Sequence, residues 1–338
     1  MYRSLPFALC LSLLTTAPAA AADYYAGKTI EFIVGADVGG GFDLYARTIA
    51  KHLPKYIPGT PIIVVKNLPG VGSGKAAAFI YNTAPKDGTA IGALMPGAVI
   101  SPLLEDGPKP QYDPTKLVYL ATAESTTRVC TSYGNSKIKT FADAQTQKGA
   151  MGASAAGGSS RDYANLARRA AGATFEIVTG YKSSDDMMLA IERGEVDGMC
   201  GWDWSSLKVQ KPEWIADKKV NLLMQFGLEP DPELTKLGVP QIWQFVKSDE
   251  DKKALELVLS QQVFGRPYIA PPGTPPEQVK LLRDGFAATM KDKDFLADAA
   301  TAKLDVSGID GAKVQDVVTK IYAAPPAVIA RAKELIKE

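Results

Sequence analysis

Histidine and cysteine are scarce in this chain of 338 residues, which has one histidine and three cysteines. A Ser-His-Asp triad needs a histidine beside its serine, and a zinc site of histidine and cysteine needs several such ligands. The single histidine, His52, lies at the end of a predicted helix, where we expect it at the surface or in the helix cap. We therefore expect no catalytic residue, no metal site and no cofactor.

An excess of charge is also missing, because Lys and Arg number 38 and Asp and Glu number 37. Proteins that bind the nucleic-acid backbone carry a basic excess, so no nucleic-acid partner is expected. The sequence has no G-x-x-x-x-G-K-[ST] motif, and after Gly39 and Gly41 the third glycine position of a dinucleotide motif holds Leu44. A nucleotide site is therefore not expected, and any anion site must be local.

Long apolar runs are absent after the first 22 residues, so no later segment has the length of a transmembrane helix. Residues 1–22 contain Arg3, then an apolar stretch, and end in three alanines, a pattern typical of a cleaved secretory signal. An uncleaved membrane anchor is the alternative. Cleavage after Ala22 would export the chain and remove Cys10. The remaining Cys130 and Cys200 would then form a disulfide or stay as two buried thiols.

The apolar residues, 46% of the chain, alternate between strand-like and helix-like patterns. Ile30–Val34 predicts a buried strand, and the residues up to Leu53 then follow the spacing of one helix face. Similar strand–loop–helix units begin at Ile62 and Ala150, and the last third of the chain is mostly helical. This order predicts an α/β fold with parallel strands, and the length predicts two domains.

Two loops of small residues follow predicted strands, one at 35–41 and one at 155–160. Such loops expose backbone N–H groups at the start of a helix, where the helix dipole also favours an anion. Ser154, Ser159 and Ser160 would add hydroxyl donors to the second loop. Tight turns of any α/β protein could look the same, but the presence of two such loops favours a shared carboxylate or phosphate site.

Support for serine chemistry is weak. Ser154 lacks the second glycine of a nucleophile elbow, and Asp185 and Asp186 stand at a predicted helix start, where capping explains them. An exported α/β chain with loops suited to an anion, but without a catalytic set, predicts a binding protein and not an enzyme. An exported hydrolase with a dyad that lacks histidine is the alternative from another class.

Five segments of the sequence resemble the substrate-binding proteins of tripartite tricarboxylate transporters, the Bug-type periplasmic receptors. The segments occur in the order of that family and cover nearly the whole mature chain. They are Val34–Arg47, Val64–Gly74, Ala84–Thr89, Gly194–Gly198 and Ala270–Pro275.

The resemblance implies an α/β, two-lobe periplasmic binding protein fold, class II-like (Venus flytrap), with two crossover strands. We expect the signal peptide at 1–22, the first part of lobe 1 at 23–123 and lobe 2 at 124–223. The return to lobe 1 is expected at 224–338, with the lobe assignment of the last helices left open. The crossovers are expected near Leu120–Arg128 and Leu222–Gly227.

The implied function is the capture of a small organic carboxylate in the periplasm by a monomer. The bound acid would be delivered to the large and small membrane subunits of a tripartite tricarboxylate transporter. The alternative is a periplasmic receptor that reports its ligand to a membrane signalling partner, because the same pocket would serve both.

The resemblance also implies which residues touch the ligand, because members of the family hold a carboxylate between two loops and border the cleft with a third. The expected ligand residues are Asp37, Val38, Gly39, Gly40, Gly41, Phe42, Asp43, Ser154, Gly157, Gly158, Ser159, Ser160, Tyr181, Ser183 and Asp185. Arg128, beside the first crossover, is a candidate for a second ligand carboxylate or for an ordinary surface salt bridge.

The chain departs from the common family pattern at Asp37, Val38 and Phe42, which leaves the identity of the acid open. Trp202 and Trp204 alternate along a strand-like run, so at most one of them is expected to face the cleft, and core packing explains either.

Overall fold

The computed structural model describes residues 24–106, 109–125, 127–154, 158–181 and 183–337, which form two β-sheets with helices packed on them. The strands are β1 (Thr29–Val34), β2 (Ile62–Asn67), β3 (Ala90–Ala93), β4 (Val118–Thr122), β5 (Arg128–Tyr133), β6 (Ala150–Gly152), β7 (Glu176–Val178), β8 (Gly198–Asp203), β9 (Val220–Phe226), β10 (Pro267–Ala270) and β11 (Ile309–Asp310). The helices are α1 (Gly41–His52), α2 (Gly74–Asn82), α3 (Gly97–Leu104), α4 (Phe141–Thr146), α5 (Ser159–Arg169), α6 (Ser184–Glu192), α7 (Trp204–Gln210), α8 (Pro212–Ala216), α9 (Pro232–Lys236), α10 (Asp249–Leu259), α11 (Pro276–Thr289), α12 (Lys293–Thr301), α13 (Gly311–Tyr322) and α14 (Pro326–Ile336).

The first sheet has the strand order β11-β4-β10-β3-β1-β2. Strand β1 pairs in parallel with both β2 and β3, whereas β10 runs antiparallel to β3 and β4. Alternate residues of β1 enter different cores: Ile30, Phe32 and Val34 share a cluster with α1 and α11, and Ile33 shares one with α2. Full burial of one such side chain stabilises the fold by about 1.5–3 kcal/mol. Because apolar side chains point to both faces of the sheet, helices must cover both faces to bury them.

The second sheet has the order β7-β6-β8-β5-β9. Strands β6 and β7 are parallel, as are β6 and β8, and β5 runs antiparallel to both of its neighbours. In this structure Cys130 of β5 and Cys200 of β8 form a disulfide, one of the two alternatives that the sequence leaves open. The second sheet is therefore cross-linked through its two central antiparallel strands.

The chain passes from the first sheet to the second between β4 and β5, within the range expected for the first crossover. The range expected for the second crossover overlaps β9, which pairs with β5 from Val220 to Phe226 and so belongs to the second sheet. The chain then returns through α9 and α10 to β10, and the C-terminal helix α14 packs against both α10 and α5.

Of the two places expected for His52, the structure shows the helix end, because His52 is the last residue of α1. His52 is not at the surface: it is 9% exposed, and its Nε2 lies 2.7 Å from Asp298 Oδ2 of α12. The packing of α12 across the end of α1, where the His52 ring contacts Phe295, buries it. Within the described residues, no helix combines the length and the apolar character that a membrane span requires.

Candidate functional site

A cavity of about 1330 Å³ opens between the loops of the two sheets. The wall on the side of the first sheet includes Phe42, Val71, Met95, Pro96 and Arg266. The wall on the side of the second sheet includes Arg128, Ser154, Gly158, Ser159, Ser160, Tyr181, Ser183, Trp202 and Asp203. Residues of α3, α10 and α14 line its third side. A cleft between two sheets, lined by apolar groups and a few convergent polar groups, is typical of a ligand site.

The second loop brings the start of α5 into this cavity. Helix α5 begins at Ser159 after Gly158, and among the described residues no side chain caps its first turn. The backbone N–H of Ser154 donates to Ser160 Oγ at 2.9 Å, and the hydroxyls of these two serines also lie 2.9 Å apart. The backbone N–H groups at the start of α5, the serine hydroxyls and the positive end of the helix dipole together favour a negatively charged ligand group. The expected residue Gly157 lies outside the described residues.

Gly201 fixes the position of this helix start. It has a left-handed φ of +73°, and a β-carbon built there would lie 2.5 Å from the carbonyl oxygen of Ser159. Only glycine permits β8 and the first turn of α5 to approach so closely. The sequence pattern contained Gly201 but gave no sign of this contact.

Arg128 lies at the start of β5 and is 9% exposed. Its Nε donates to Asp203 Oδ1 at 2.9 Å, and its guanidinium lies 4.8 Å from the centre of the Tyr163 ring. Burial alone would lower the pKa of Arg128, but Tyr163 and Asp203 raise it above its ordinary value. Nη1 is buried and has no hydrogen-bond partner among the described residues. The ion pair with Asp203 is thus largely buried, and the described residues do not fill the hydrogen-bonding capacity of this guanidinium in the cavity wall.

The first loop is placed differently. Phe42 lines the cavity, whereas the exposed segment 37–41 and the buried Asp43 are not among the described residues of its wall. Asp43 Oδ2 accepts the N–H of Gly39 at 2.8 Å and the Nε of Arg47 at 2.9 Å. Burial alone would raise the pKa of Asp43, but these hydrogen bonds and one from Asn67 lower it. Asp43 therefore stabilises the loop from behind, and the contact of 37–41 with a ligand stays a prediction.

The third expected segment lies partly in the wall. Tyr181 and Ser183 line the cavity, but Asp185 is exposed and is not among its lining residues. The cap of α6 is Ser183, whose hydroxyl accepts the N–H of Asp186 at 3.1 Å. Asp185 and Asp186 lie in the first turn of α6, where the helix dipole stabilises negative charge.

Of the two tryptophans, Trp202 lies in β8 and Trp204 begins α7, and only Trp202 is among the described residues of the cavity wall. Trp202 lines the cavity, and its Nε1 donates to Gln210 Oε1 at 3.0 Å. Trp204 is not among the lining residues; it lies in the apolar cluster of the second sheet, and its Nε1 donates to Glu233 Oε2 at 2.9 Å. Both side chains are buried, so packing explains Trp204 fully and Trp202 in part.

The described cavity wall contains equal numbers of acidic and basic residues. The acids are Glu105, Asp106, Asp162 and Asp203, and the bases are Lys109, Arg128, Arg266 and Lys333. Burial raises the pKa of Asp162 to about 6, although Arg161, 3.2 Å away, opposes the shift. Among the described residues, no group of three or more His, Cys, Asp or Glu side chains is placed to hold a metal ion. The wall thus has no net excess of positive charge, and an anion would be bound by single cationic side chains and by the N–H groups at the start of α5.

The sequence analysis missed two wall features. Arg266 stands between a 3-10 turn and β10, and only the fold brings it to Phe42. Lys333 of α14 reaches the third side, where its Nζ lies 2.7 Å from Asp106 Oδ1. Neither residue belongs to a motif, so no local signal in the sequence could have indicated them.

No protein-family model matches this chain, and no curated protein matches it. Several solved structures do. A TctC solute-binding protein from Polaromonas, without ligand, superposes with a TM-score of 0.69 at 18% identity, covering 92% of this chain and 99% of that one. MatC from Rhodopseudomonas palustris with bound malate gives 0.62 at 18% identity, covering 92% and 99%. A further R. palustris protein, with adipate, gives 0.65 at 19% identity, covering 90% and 97%.

These similarities show that the chain has the two-lobe α/β fold of periplasmic binding proteins, as the sequence predicts. The resemblance inferred from the five sequence segments is thereby confirmed at the level of the fold. Because a fold hosts many functions, the ligand and partners must be argued from the site.

Proposed function

We propose that this protein is an exported receptor that captures a small organic carboxylate in its cleft and delivers it to a tripartite tricarboxylate-type secondary transporter. The observation that carries the proposal is the pairing of the uncapped start of α5 with the buried Arg128 in one cavity. Each of these features favours negative charge, and among the described residues the first turn of α5 has no side-chain cap and Arg128 Nη1 has no hydrogen-bond partner. The similar folds with bound malate and adipate support an acid as ligand.

In the proposed complex the ligand carboxylate accepts from the first N–H groups of α5 and from the hydroxyls of Ser154 and Ser159. Arg128 binds a second polar or charged group of the same ligand, and Tyr181 and Trp202 cover its carbon skeleton. Charge-assisted hydrogen bonds contribute about 1.5–3 kcal/mol each, so three or four of them, less the cost of ordering, give micromolar affinity.

The first loop enters this proposal through closure of the lobes. Val38, Gly39, Gly40 and Gly41 are exposed beside Phe42, the one member of that loop in the wall. A hinge movement at the crossovers would bring this segment over a ligand held by the second wall, where N–H groups other than that of Gly39, which donates to Asp43, would bind it. Asp37 would then face solvent or a ligand hydroxyl or amine, since an ionised carboxylate repels an acid.

The proposal includes the cellular setting. Residues 1–22 would act as a cleaved signal peptide, the mature monomer would work in the periplasm, and the large and small membrane subunits would receive its ligand. A protein that reports its ligand to a membrane sensor would use the same cleft, and capture of membrane proteins by the closed, ligand-bound receptor separates the two.

The test is a thermal-shift screen with malate, adipate, citrate and benzoate, each beside its uncharged amide as a matched control. Ligand at about 100 times its Kd stabilises the native state by about 2.7 kcal/mol, which raises the Tm by several degrees. We expect at least one acid to raise the Tm and its amide to leave it unchanged. Equal responses to acid and amide, or no response to any acid, would contradict the proposal.

A further inference from the structure

Among the described residues, Arg266 is the cation on the first-sheet side of the cavity wall, and neither the sequence analysis nor the proposed ligand contacts include it. It precedes β10, and its side chain is 11% exposed. The guanidinium lies 4.1 Å from the centre of the Phe42 ring and 5.0 Å from that of Tyr45. Two aromatic faces of one helix therefore hold a positive charge in the cavity wall, a favourable arrangement for a largely desolvated cation.

The guanidinium also stands beside the start of α1. A β-carbon built on Gly41, the first residue of that helix, would lie 3.9 Å from Arg266 Nη2. A cation at the positive end of a helix dipole is unfavourable unless an anion accompanies it. The carboxylate in the first turn, Asp43, does not serve this purpose, because its oxygens accept from Gly39, Arg47 and Asn67.

The nearest acid to Arg266 is Glu124, which is buried in the crossover between β4 and β5. Their Nε and Oε2 atoms lie 3.3 Å apart, but Nε makes no hydrogen bond among the described residues. The two oxygens of Glu124 instead accept from Ser205 at 2.7 Å and from Tyr45 at 3.2 Å. Burial raises the pKa of Glu124 above its ordinary value, against the opposing effect of Arg266. Glu124 therefore neutralises Arg266 only in part.

We infer that Arg266 is a specificity-determining residue that binds an anionic group of the ligand directly, at the start of α1 and opposite the wall that holds Arg128. The inference rests on the proposed function and adds to it a true positive charge on the first lobe. It also sets the ligand class: an acid whose charged groups reach both walls binds more tightly than one whose charge reaches only α5. Glu124 competes with that acid for the guanidinium.

The decisive experiment compares two substitutions by calorimetry, using whichever of malate, adipate and citrate, the acids with more than one carboxylate, gives the wild-type protein its lowest Kd. Arg266→Gln removes the charge that binds the ligand, and we expect a rise in Kd of roughly ten- to a hundredfold. Glu124→Gln removes the competitor and leaves the guanidinium, and we expect an unchanged or lower Kd. Arg169→Gln, an equal charge change at the exposed far end of α5, is the matched control and should match wild type.

The outcomes separate the inference from a merely structural role. If Arg266 only supports Glu124, both substitutions should weaken binding to the same extent, and that result would overturn the inference, as would an Arg266→Gln protein within about twofold of wild type. Should Arg266→Gln fold poorly, Arg266→Lys keeps the charge and loses the planar fork, so an intermediate Kd is expected. A wild-type protein that binds none of the four acids of the thermal-shift screen refutes the proposed function itself, a result distinct from equal binding by wild type and variant.

Discussion

The two loops of small residues look alike in the sequence but differ in the structure. The loop before α5 contributes Ser154, Gly158, Ser159 and Ser160 to the cavity wall, whereas the loop before α1 contributes only Phe42. Val38, at the tip of the first loop, is 73% exposed. The sequence alone treats both as equal halves of one clamp.

The difference lies in which group accepts the loop N–H groups. In the first loop a carboxylate four residues later, Asp43, turns back and accepts the N–H of Gly39. In the described part of the second loop, the N–H of Ser154 donates instead to a neutral hydroxyl, Ser160 Oγ. A loop N–H group that a carboxylate of the following helix accepts, as Asp43 accepts that of Gly39, is no longer available to a ligand.

The largest expected effect comes from placing a side chain at Gly201, where β8 and the first turn of α5 are in close contact. Gly201→Ala forces a side chain into the left-handed region and onto the Ser159 carbonyl, so we expect a loss of about 3 kcal/mol or more of unfolding free energy. Acid binding should also disappear, since the start of α5 must move. Urea denaturation and calorimetry measure both.

Gly39→Ala is the matched control in the first loop. Gly39 also has a positive φ, +83°, but no atom lies within 4 Å of a β-carbon built there. We expect a cost of about 1–2 kcal/mol and a small change in Kd. Equal losses in the two glycine variants would show that the contact between β8 and α5 has no special importance.

An intermediate effect on ligand binding is expected from replacing Arg128, which we compare with the replacement of Arg47 beside the first loop. Arg128→Gln should raise the Kd for the bound acid by roughly ten- to a hundredfold and lower stability by about 3 kcal/mol, because it leaves Asp203 without its partner. Arg47→Gln removes an exposed arginine that pairs with Asp43 outside the cavity, and its Kd should stay within about threefold of wild type. If calorimetry gives the two variants the same Kd, the second wall does not dominate binding.

The smallest expected effect is on pH dependence. Burial raises the pKa of Asp162, in the first turn of α5, to about 6, against the opposing charges of Arg161 and Arg128. Its ionised form repels an acid at that helix start, so the Kd should fall a few-fold as the pH is lowered from about 7.5 to 5.5. Asp162→Asn should abolish this dependence, whereas an unchanged slope would place the titrating group elsewhere.

The same shift predicts the pH dependence of stability. Because the native pKa of Asp162 lies above the ordinary value of 3.8, the native state holds the proton more tightly than the unfolded state. Its contribution is therefore complete below about pH 4 and is lost as the pH rises through about 6, an effect of about 2–3 kcal/mol. Asp162→Asn should flatten the wild-type curve across that window.

The parts that could be predicted from the sequence are those set by local pattern. The alternation of Ile30–Val34 predicts β1, and the small residues before α1 and α5 predict their loops. Helical spacing alone could not predict that α12 would bury His52. Arg266 could not be predicted as a wall residue, because its contact with Phe42 joins residues 224 positions apart in the chain.

The Cys130–Cys200 disulfide affects when the part of the chain that forms the second wall reaches its full stability. Every element of the second wall from β6 to α6, with the serines and Tyr181, lies inside the loop that it closes, across a sequence separation of 70 residues. Closing a loop of this size removes about 4 kcal/mol of chain entropy from the unfolded state. If the chain is the exported receptor proposed above, a copy retained where thiols stay reduced would lose that contribution in the part that carries the second wall, and full competence to bind would be acquired only after export.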